Sequence, residues 1–576
     1  MSTAASILVE AAPSSGAEVI AEAFMRHRLA RVFVYPGGTI APILELMDGC
    51  GIDVFCSRHE QGAGYAALAA ARLGGEPQVV MVTSGPGVTN LATAVADAYF
   101  DSVPLVVLTG QVGTGDLRAP RVLRQRGFQE IDAVALMAPI TKAQMTPMHP
   151  DEVAGAIETA FRVATDGRPG PVLVDLPMDV QRGTLTAPAA APPHLFVSTG
   201  VDRALVNRAA EWLAGARRPV VIAGQGVIQS GAVNALRQVA GRLGAPVSHS
   251  LLAMGVMPTD SPLSLGFHGH TGNQVAGLAI HHADVLLVVG SRLDVRQTGT
   301  RPDAFAPRAR VIRIDIDETE LAHSRVPMSL VLRNDAATAL YALNEALTHH
   351  AVGVDHEAWL QQIERWRAEH SLEPGPGNRL KPQAVISALD RLTAHESVIC
   401  VSGVGSHQQW TARHFTFDYP RRIWLTSGGH GAMGFDLPTA IGAQLARPAA
   451  RVVCCVGDGS LQMNIQELAS LTAYNLPVKI VVIDNHRLGI VSQFQRLNWG
   501  RDPTCGDKWN PDFAAIARAY GLYAATVTEE ETLEQALESA LATPGPALVH
   551  CIVDPDEDVS PMLLTGQTID AMWTRA

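Results

Sequence analysis

The stretch VVCCVGDGSLQMNIQELASLTAYNLPVKIVVIDN, residues 452–485, holds two apolar runs that each end on polar side chains. The first run stops at Gly-Asp-Gly-Ser and the second at Asp-Asn, so that Asp458 and Asn485 lie 27 residues apart. A helix-like stretch separates the two runs. Strand, helix and strand in this order and at this length predict a βαβ unit within a parallel sheet.

Asp458 and Asn485 end two strands of this predicted sheet. Ligands of parallel sheets bind beyond the carboxyl ends of the strands, and neighbouring strands lie only about 5 Å apart. The two side chains can therefore share one ion, and carboxylate plus amide oxygen suits Mg²⁺, which also takes up water and phosphate oxygens. Gly457 and Gly459 let the backbone approach a phosphate, and the helix that begins after Ser460 points its amide groups at it. The stretch predicts a diphosphate held through Mg²⁺, although a Gly-Asp-Gly triplet alone is more often an ordinary turn.

The rest of the 576-residue chain repeats this alternation of strands and helices in three blocks. Residues 1–185, 196–370 and 380–576 each predict an α/β domain with a doubly wound parallel sheet. An Ala- and Pro-rich stretch between residues 185 and 196 and the polar SLEPGPGNRLKP are typical of the joints between domains. The first and third blocks share the same succession of helix, strand and glycine-rich turn. This indicates a duplication, unless the likeness is that of any two βαβ units.

Composition excludes several classes of protein. A nucleic-acid binder of this size normally has a basic face, so a net charge of −12 argues against a polyanionic partner. The sequence has no uninterrupted run of about 20 apolar residues, so no membrane span is predicted, and the N-terminus lacks the features of a secretory signal. The seven cysteines include no Cys-x-x-Cys pair and indicate free thiols in a reducing compartment. We expect a cytoplasmic protein without nucleic-acid or membrane partners.

The spacing from Gly-Asp-Gly to Asn resembles the signature of thiamine-diphosphate-dependent enzymes. The resemblance is sharpest to the large, catalytic subunits of acetohydroxyacid (acetolactate) synthases, and it covers nearly the whole chain in order. The stretches that carry it are YPGG, RHEQGA, TSGPGVTN, GRPGPVLVDLP, GSRLDVRQTG, SGGHGAMGFDLPTAIGAQLA and GDGSLQMNIQELA. It implies a pyrimidine-binding first domain, an FAD-binding-like central domain and a third domain that binds the diphosphate and Mg²⁺.

The reaction that the resemblance implies joins two 2-keto acids. Pyruvate is decarboxylated, and the two-carbon unit that remains is transferred to the keto group of a second 2-keto acid. In the family this reaction serves branched-chain amino-acid biosynthesis. The alternative is a related thiamine-diphosphate-dependent carboligase or 2-keto acid decarboxylase with a non-standard acceptor. A cofactor-binding relic without activity is disfavoured, because a relic has no reason to retain an activator and metal ligands together.

The resemblance also assigns residues to thiamine diphosphate and its metal ion. Glu60 would face the aminopyrimidine N1′ and stabilise the imino form that takes the C2 proton; without the resemblance it is a surface glutamate at a helix start. The main-chain oxygen of Arg487 would join Asp458 and Asn485 as a metal ligand. Further cofactor contacts fall to residues that on their own indicate core or turn positions: Val404, Gly405, His407, Gly431 and Met433, besides Gly457, Gly459 and Ser460.

The substrate side is assigned to five residues: Gly38, Phe128, Gln129, Lys142 and Arg296. Arg296 would lie near the acceptor's carboxylate, a task that suits the fork of a guanidinium group, and the alternative is an ordinary surface ion pair. Lys142 has a purely structural alternative. Because the family draws the activating glutamate and the metal ligands from different subunits, the resemblance implies a homodimer or a homotetramer. A small regulatory subunit is a further expected partner.

The middle block resembles the part of the family that carries FAD, although no redox step requires it. The matching positions are Gly224, Leu251, Gly266, His268, Gly290, Arg292, Asp294, Asp315 and Asp335. Asn334 departs from the family, which has glycine there. We expect FAD, with an empty structural domain as the alternative.

Other positions also depart from the family. Phe494 replaces a tryptophan that favours 2-ketobutyrate as acceptor, Met178 replaces a lysine and Ser406 replaces a glutamine. The loop 113–127 is longer than in the family and carries four arginines: Arg118, Arg121, Arg124 and Arg126. These differences predict a changed acceptor or a partner-binding loop, unless they reflect neutral drift and a solvated basic loop.

Overall fold

The computed structural model describes residues 14–117, 123–186, 200–350, 356–501 and 509–575. Within these residues the chain forms three six-stranded sheets with helices on their faces. The strands are short runs rich in valine and isoleucine, and the inner strands of each sheet are buried on both faces, as parallel sheets require. The predicted α/β fold with three parallel sheets is confirmed, while the predicted domain boundaries stay predictions.

The first sheet lies within residues 14–186. Its strands are β1 (Arg31–Tyr35), β2 (Asp53–Cys56), β3 (Gln78–Val82), β4 (Leu105–Gln111), β5 (Gln144–Met145) and β6 (Val172–Pro177). Its α-helices are α1 (Gly16–Arg26), α2 (Ala41–Met47), α3 (Glu60–Gly74), α4 (Pro86–Phe100), α5 (Ala133–Met137), α6 (Val153–Thr165) and α7 (Met178–Arg182). Its 3₁₀ helices are Gly38–Ile40, Asp48–Cys50, Thr114–Asp116, Ala138–Ile140 and Pro150–Glu152. The strands pair in parallel in the order β2-β1-β3-β4-β6-β5, and α1 and α6 share a buried apolar cluster with one face of the sheet.

The second sheet lies within residues 200–369. Its strands are β7 (Pro219–Ala223), β8 (Val247–His249), β9 (Ser264–Phe267), β10 (Val285–Val289), β11 (Arg310–Asp315) and β12 (Leu330–Arg333). Its α-helices are α8 (Arg203–Ala214), α9 (Gln225–Gln229), α10 (Val233–Leu243), α11 (Gln274–His282), α12 (Val295–Thr298), α13 (Glu318–Ala322), α14 (Ala336–Leu347) and α15 (Glu357–Glu369). Its 3₁₀ helices are Leu251–Ala253 and Pro302–Ala304. The parallel order β12-β11-β10-β7-β8-β9 is that of dinucleotide-binding domains, and it places the topological switch point between β7 and β10.

The third sheet lies within residues 382–552. Its strands are β13 (Val398–Val401), β14 (Arg422–Leu425), β15 (Arg451–Gly457), β16 (Lys479–Asp484), β17 (Tyr523–Val527) and β18 (Ala547–Ile552). The α-helices along this stretch of the chain are α16 (Pro382–Leu392), α17 (Ser406–His414), α18 (Asp436–Ala446), α19 (Asp458–Met463), α20 (Leu468–Ala473), α21 (Gly489–Trp499), α22 (Phe513–Ala519) and α23 (Leu533–Ala542). Its 3₁₀ helices are Ile465–Glu467 and Glu530–Thr532. The parallel order β14-β13-β15-β16-β18-β17 repeats that of the first sheet, as the likeness between the two blocks of sequence indicates.

The chain divides into two compact units. One unit comprises residues 1–196, 427–449 and 461–478, and therefore holds the first sheet together with α18 and α20. The other comprises residues 197–426, 450–460 and 479–576, and holds the second and third sheets. Among the described residues, no helix combines the length and the apolar character that crossing a membrane would require.

Candidate functional site

Glu60 is the first residue of α3 and is buried, with only 5% of its surface exposed. His59 caps this helix, since a nitrogen of its ring accepts from the main-chain N–H of Gln61 at 3.2 Å. The amide of Asn90, on α4, donates to the Glu60 carboxylate at 3.0 Å. The surface alternative for Glu60 is therefore wrong: the carboxylate lies inside the first unit with one amide partner.

Glu467 fixes the chain that leads into Glu60. Its carboxylate is buried and accepts from the main-chain N–H of Arg58 at 2.9 Å and from the hydroxyl of Ser470 at 2.6 Å. Burial raises the pKa of Glu467, while the hydrogen bond from Ser470 lowers it. A Cβ on Gly62 would lie 2.3 Å from the same carboxylate, which explains why α3 has glycine there. The two segments are about 400 residues apart, so sequence patterns alone do not reveal this support.

Two of the predicted substrate residues lie beside the turn that follows β3. Gly38 begins a 3₁₀ helix, and a Cβ added to it would meet no atom within 4 Å, so space is open beside it. The next residue, Thr39, accepts from the main-chain N–H of Ser84 at 3.0 Å. Gln129 has a φ of +65°, and a Cβ on Gly85 would lie 2.9 Å from its carbonyl oxygen. The segments that carry Gly38 and Gln129 thus both pack on residues 83–85.

Phe128 and Lys142 differ in their surroundings. Phe128 is 86% exposed, so its ring contacts almost nothing within the described chain. The Lys142 ammonium group donates to the main-chain oxygens of Val163 at 2.6 Å and Asp166 at 2.5 Å, just past α6. Burial lowers the pKa of Lys142 to about 8. These contacts favour the structural alternative for Lys142.

The loop that carries Gly431 and Met433 is exposed on its outer side. Gly431 has a φ of +75°, and a Cβ added to it would meet no atom within 4 Å. The N–H groups of Gly431 and Ala432 donate to the hydroxyl of Ser427 at 2.9 and 3.3 Å. The main-chain oxygen of Gly434 accepts from the amide of Asn464 at 2.7 Å. The N–H groups of Gly431 and Ala432 therefore have hydrogen-bond acceptors within the first unit. The side of the loop at Gly431 is open to solvent.

The third sheet places the predicted metal ligands at the ends of neighbouring strands. Asp458 follows β15 and Asn485 follows β16, and both side chains are buried. The main-chain N–H of Arg487 donates to the Asn485 side-chain oxygen at 3.2 Å. The backbone thus turns back over this strand end, and the main chain of Arg487 lies beside Asn485.

Two residues that the sequence pattern does not single out join this strand end. The amide of Asn510 donates to Asp458 at 2.7 Å and to Asp484 at 2.8 Å. His550, on β18, is a partner of the other Asp484 oxygen at 2.8 Å. Burial would raise the pKa of Asp484, but the hydrogen bond with His550 and that from the main-chain N–H of His486 lower it. The Asn510 amide thus donates to two carboxylates at once. The carboxylate oxygens of Asp458 and Asp484 therefore lie close together, an arrangement that fits a cation.

A cradle without side chains surrounds the start of α17. Gly405, which precedes this helix, has a φ of +151°, and a Cβ there would lie 2.8 Å from the ring of His407. A Cβ on Gly457 would lie 2.6 Å from the same ring, and one on Gly489 would lie 2.8 Å from the Ser406 hydroxyl. His407 therefore packs against two strand ends where only glycine fits. Val404 is half-buried next to it, and Gly459 and Ser460 are buried in the first turn of α19.

The middle sheet has a second glycine cradle at its switch point. A Cβ on Gly224, after β7, would lie 2.0 Å from the main-chain oxygen of Gly290, after β10. Only glycine permits this approach of the two strand ends, where ligands of such sheets bind. Gly266 has a φ of +70° and packs on Asn273, and Leu251 begins the 3₁₀ helix after β8. The arrangement fits a nucleotide cofactor.

The polar residues predicted for FAD also have structural contacts. The His268 ring lies 2.9 Å from the Ser248 hydroxyl and 3.2 Å from the Gln297 side-chain oxygen, and burial lowers its pKa to about 4. Asp294 caps α12 and pairs with Arg292 at 2.9 Å. Asp335 caps α14. Asp315 is buried and accepts from the main-chain N–H of Asp317 at 3.1 Å.

The positions linked with the acceptor substrate differ in their exposure to solvent. Arg296 is exposed on α12, and its main-chain oxygen accepts from the N–H of His270 at 2.7 Å. Phe494 is half-buried on α21 with its ring 5.7 Å from that of Trp499, and Met178 is half-buried at the start of α7. In the longer loop, Arg124 and Arg126 are exposed. The predictions for Arg118 and Arg121 concern residues outside those that the structure describes.

Comparisons with known proteins agree along the whole chain. Three family models match in order: the N-terminal thiamine pyrophosphate (thiamine diphosphate) binding domain over residues 14–136, the central domain over 206–343, and the C-terminal binding domain over 403–551. Acetolactate synthase isozyme 3 large subunit from Escherichia coli K12 is 38% identical over 97% of this chain and 98% of its own length. Acetolactate synthase of Arabidopsis thaliana chloroplasts is 37% identical over 98% of this chain and 85% of its own length.

Proposed function

This chain belongs to the thiamine-diphosphate-dependent enzymes, as a relative of the acetolactate synthase large subunits, and from that premise we propose that it joins two 2-keto acids with pyruvate as the donor. It is an acetolactate synthase-like carboligase, which is a transferase. Pyruvate loses carbon dioxide, and the two-carbon unit that remains is transferred to the keto carbon of a second 2-keto acid. The reaction serves branched-chain amino-acid biosynthesis.

The arrangement after β15 and β16 is the observation that carries this proposal. Asp458 and Asp484 share the amide of Asn510, which supports a site for one cation, and Asn485 supplies an amide oxygen beside them. Asp458, Asn485 and the main-chain oxygen of Arg487 would hold Mg²⁺, an ion that prefers such oxygen ligands. The cradle at Gly405, His407, Gly457, Gly459 and Ser460, with Val404 beside it, would receive the diphosphate through main-chain N–H groups.

Glu60 would act on the cofactor's aminopyrimidine ring. When bound, thiamine diphosphate supplies the carbon nucleophile that attacks the 2-keto acid. Glu60 would hold or release a proton at the ring nitrogen N1′, and its burial would strengthen that interaction because little water competes. Asn90 fixes the orientation of the Glu60 carboxylate. The main-chain oxygen of Gly431 and the side chain of Met433 would position the same ring.

The open space beside Gly38 supports a substrate pocket bounded by Gln129 and Phe128. The Arg296 guanidinium makes no hydrogen bond to the residues that the structure describes, so it is available to pair with an acceptor's carboxylate. Lys142 would act only on the fold, because main-chain carbonyls take up its ammonium group.

FAD, the assembly and the location complete the proposal. The glycines at the switch point of the middle sheet, Gly224 and Gly290, support FAD binding there. Arg292, Asp294 and Asp335 would contribute through the loops that they already shape, and Gly266, His268, Leu251 and Asp315 through their neighbouring strand ends. The chain would work as a homodimer or homotetramer in the cytoplasm. Three of the bacterial relatives are named as large subunits, which supports a small regulatory subunit as partner.

A product assay tests the proposed reaction. The full chain is incubated with pyruvate, Mg²⁺, thiamine diphosphate and FAD, and the carbon products are identified by mass. We expect carbon dioxide and 2-acetolactate from the wild type, and about 10²–10⁴-fold less of both from Glu60→Gln. Release of carbon dioxide with free aldehyde as the only other product would replace the carboligase with a decarboxylase. No carbon dioxide from the wild type would overturn the proposal.

A different acceptor is the second candidate. Phe494 is a smaller aromatic side chain than tryptophan, and its ring packs edge-on against Trp499. This leaves more room on that side of α21 for a larger 2-keto acid. The same assay, with pyruvate and an equal concentration of a second 2-keto acid, decides between the two. A mixed product that exceeds 2-acetolactate favours the second candidate, and 2-acetolactate as the sole efficient product excludes it.

A further inference from the structure

The segment SGGHGAMG, residues 427–434, which we call the glycine loop, combines an exposed outer side with buried anchors. Residues 428–431 are exposed, whereas Ser427 and Gly434 at its two ends are buried. The loop contains four glycines and therefore has little conformational preference of its own. Its shape must come from the groups beneath it, and these belong mainly to α4.

Asp97 holds the loop through Ser427. The Ser427 hydroxyl donates to one Asp97 oxygen at 2.5 Å, and the hydroxyl of Tyr65 donates to the other at 2.9 Å. Ser427 in turn accepts from the N–H groups of Gly431 and Ala432 at 2.9 and 3.3 Å. Because both N–H groups point at the hydroxyl oxygen, its own hydrogen is directed to Asp97. The carboxylate thus sets the orientation of the one side chain on which the middle of the loop folds.

Asp101, one turn further along the chain, holds the first glycines directly. It accepts from the N–H of Gly428 at 3.0 Å and from that of Gly429 at 2.7 Å. Arg72, on α3, donates to the same carboxylate at 2.5 Å. The ring of His430 also stacks on Phe100 with 5.7 Å between the ring centres. Four successive residues of the loop are therefore tied to α4, and four main-chain N–H groups end directly or through Ser427 on two carboxylates.

This anchoring is electrostatically costly. Asp97 and Asp101 are both almost fully buried, at 0% and 1% exposure. Burial raises the pKa of Asp97, and the charge of Asp101 raises it further, while the hydrogen bonds from Ser427 and Tyr65 lower it. A loop that only connected two elements could leave its N–H groups hydrogen-bonded to water, and no carboxylate would have to be buried. Local arrangements that work against stability concentrate where a protein needs a defined geometry for function.

We propose that Asp97 and Asp101 are positioning residues for the carboligation reaction, which fix the main chain of the glycine loop so that the Gly431 oxygen and the Met433 side chain are held in one arrangement toward the cofactor. The inference rests on the proposed function and deepens it. Neither residue touches substrate or cofactor in this account, because both act from beneath the loop. Asp97 and Asp101 contribute by restricting the motion of the glycine loop before the cofactor binds, so that less conformational entropy is lost on binding.

Four variants test this inference. Ser427→Ala removes the hydroxyl that accepts from the loop, and Asp97→Asn removes the charge that orients it. Ser427→Thr keeps the hydroxyl and serves as the rescue. Glu158→Gln is the matched control, since Glu158 is likewise a buried carboxylate of the first unit but pairs with Arg26 and His27 on the other side of the sheet.

Two readouts are measured on the full-length protein. Amide hydrogen exchange of residues 428–434, without cofactor, reports the anchoring itself. The dissociation constant for thiamine diphosphate with Mg²⁺ and the turnover number with pyruvate report its use. In Ser427→Ala we expect faster exchange in the loop and cofactor binding that is weaker by about tenfold, as for the loss of buried hydrogen bonds. Ser427→Thr and Glu158→Gln should match the wild type in both.

The outcomes separate this inference from the proposed function. Unchanged exchange at residues 428–434 in Ser427→Ala and Asp97→Asn would overturn it, whatever the activity. So would faster exchange with unchanged cofactor binding and turnover, since the anchoring would then be irrelevant to the reaction. A failure of the proposed function is seen in the wild type alone, as absent cofactor binding and absent product, and it would overturn the positioning role with it.

Discussion

Replacement of Glu557 by glutamine tests what holds the C-terminal segment, residues 553–575. The Glu557 carboxylate is buried and accepts from Arg575 at 2.7 Å, Gln383 at 2.8 Å and Lys381 at 3.0 Å. Burial alone would raise its pKa, but the hydrogen bonds from Arg575, Lys381 and Gln383 lower the pKa to about 2. Glutamine keeps the size of the side chain, but its amide presents a donor to groups that are themselves donors.

The magnitude follows from this lowered pKa. The pKa falls from the ordinary value of 4.5 to about 2 in the folded protein. Since each pKa unit corresponds to about 1.4 kcal/mol, the carboxylate stabilises the segment by about 3 kcal/mol. A depressed pKa means that this stabilisation is fully present above pH 4.5 and is lost as the pH falls toward 2. At pH 7 we therefore expect Glu557→Gln to lower the free energy of opening of the segment by about 3 kcal/mol.

Native-state hydrogen exchange of residues 556–575 measures this free energy locally, without the assumption that the whole chain unfolds in one step. Glu345→Gln is the control, because Glu345 pairs with Arg203 at the surface with 60% of its side chain exposed; we expect its effect to stay below about 0.5 kcal/mol. The difference between wild type and Glu557→Gln should be constant from pH 8 to pH 5 and shrink below pH 4.5. An unchanged opening free energy at pH 7 would refute the assignment of Glu557 as the anchor.

Three further predictions concern the site. Glu60→Gln keeps a partner for Asn90 but cannot exchange a proton at the cofactor, so product formation should fall by about 10²–10⁴-fold with unchanged circular dichroism; activity near that of the wild type would contradict the role. Asp458→Asn removes the charged metal ligand and should weaken Mg²⁺-dependent cofactor binding by at least about tenfold in titration calorimetry, whereas unchanged binding would move the metal site elsewhere. Lys142→Met should lower the melting temperature and leave kcat/KM of the folded enzyme unchanged, since its ammonium group meets only main-chain oxygens; a large loss of kcat/KM at unchanged stability would restore a catalytic role.

The sequence was sufficient for those features that depend on short-range pattern. Apolar runs of strand length alternating with helical stretches predict the three parallel sheets, because each pattern is local. The ends of β15 and β16 are also predictable, since Asp458 and Asn485 directly follow apolar runs and parallel strands end at one edge. The burial of Glu60 was expected only from the family resemblance, because a glutamate at the start of a helix is by itself typical of a surface position.

The supports of the site were not predictable, because they join distant parts of the chain. Asp97 and Asp101 lie in an ordinary helical pattern, and their partners in the glycine loop are 327 to 330 positions away. Asn510 lies outside any strand or helix, and nothing in its neighbourhood indicates a contact with Asp458. In each case the function of the side chain comes from where the fold brings it. The periodicity of a sequence reports only on contacts between residues that are close along the chain.

The first and third sheets present the same scaffold with different side chains at equivalent strand ends. Their identical strand orders make β3 equivalent to β15, and β4 equivalent to β16. At the end of β4, the amide of Gln111 donates to Asp175 at 3.0 Å and is thereby committed to the interior. The turn after β3 begins Thr-Ser-Gly and carries no acidic side chain, whereas Asp458 directly follows β15. Asp458 and Asn485 provide carboxylate and amide oxygens of the kind that suit a cation, whereas the side chains at the ends of β3 and β4 are uncharged. The two sheets therefore differ in a few side chains at their strand ends rather than in their strand order.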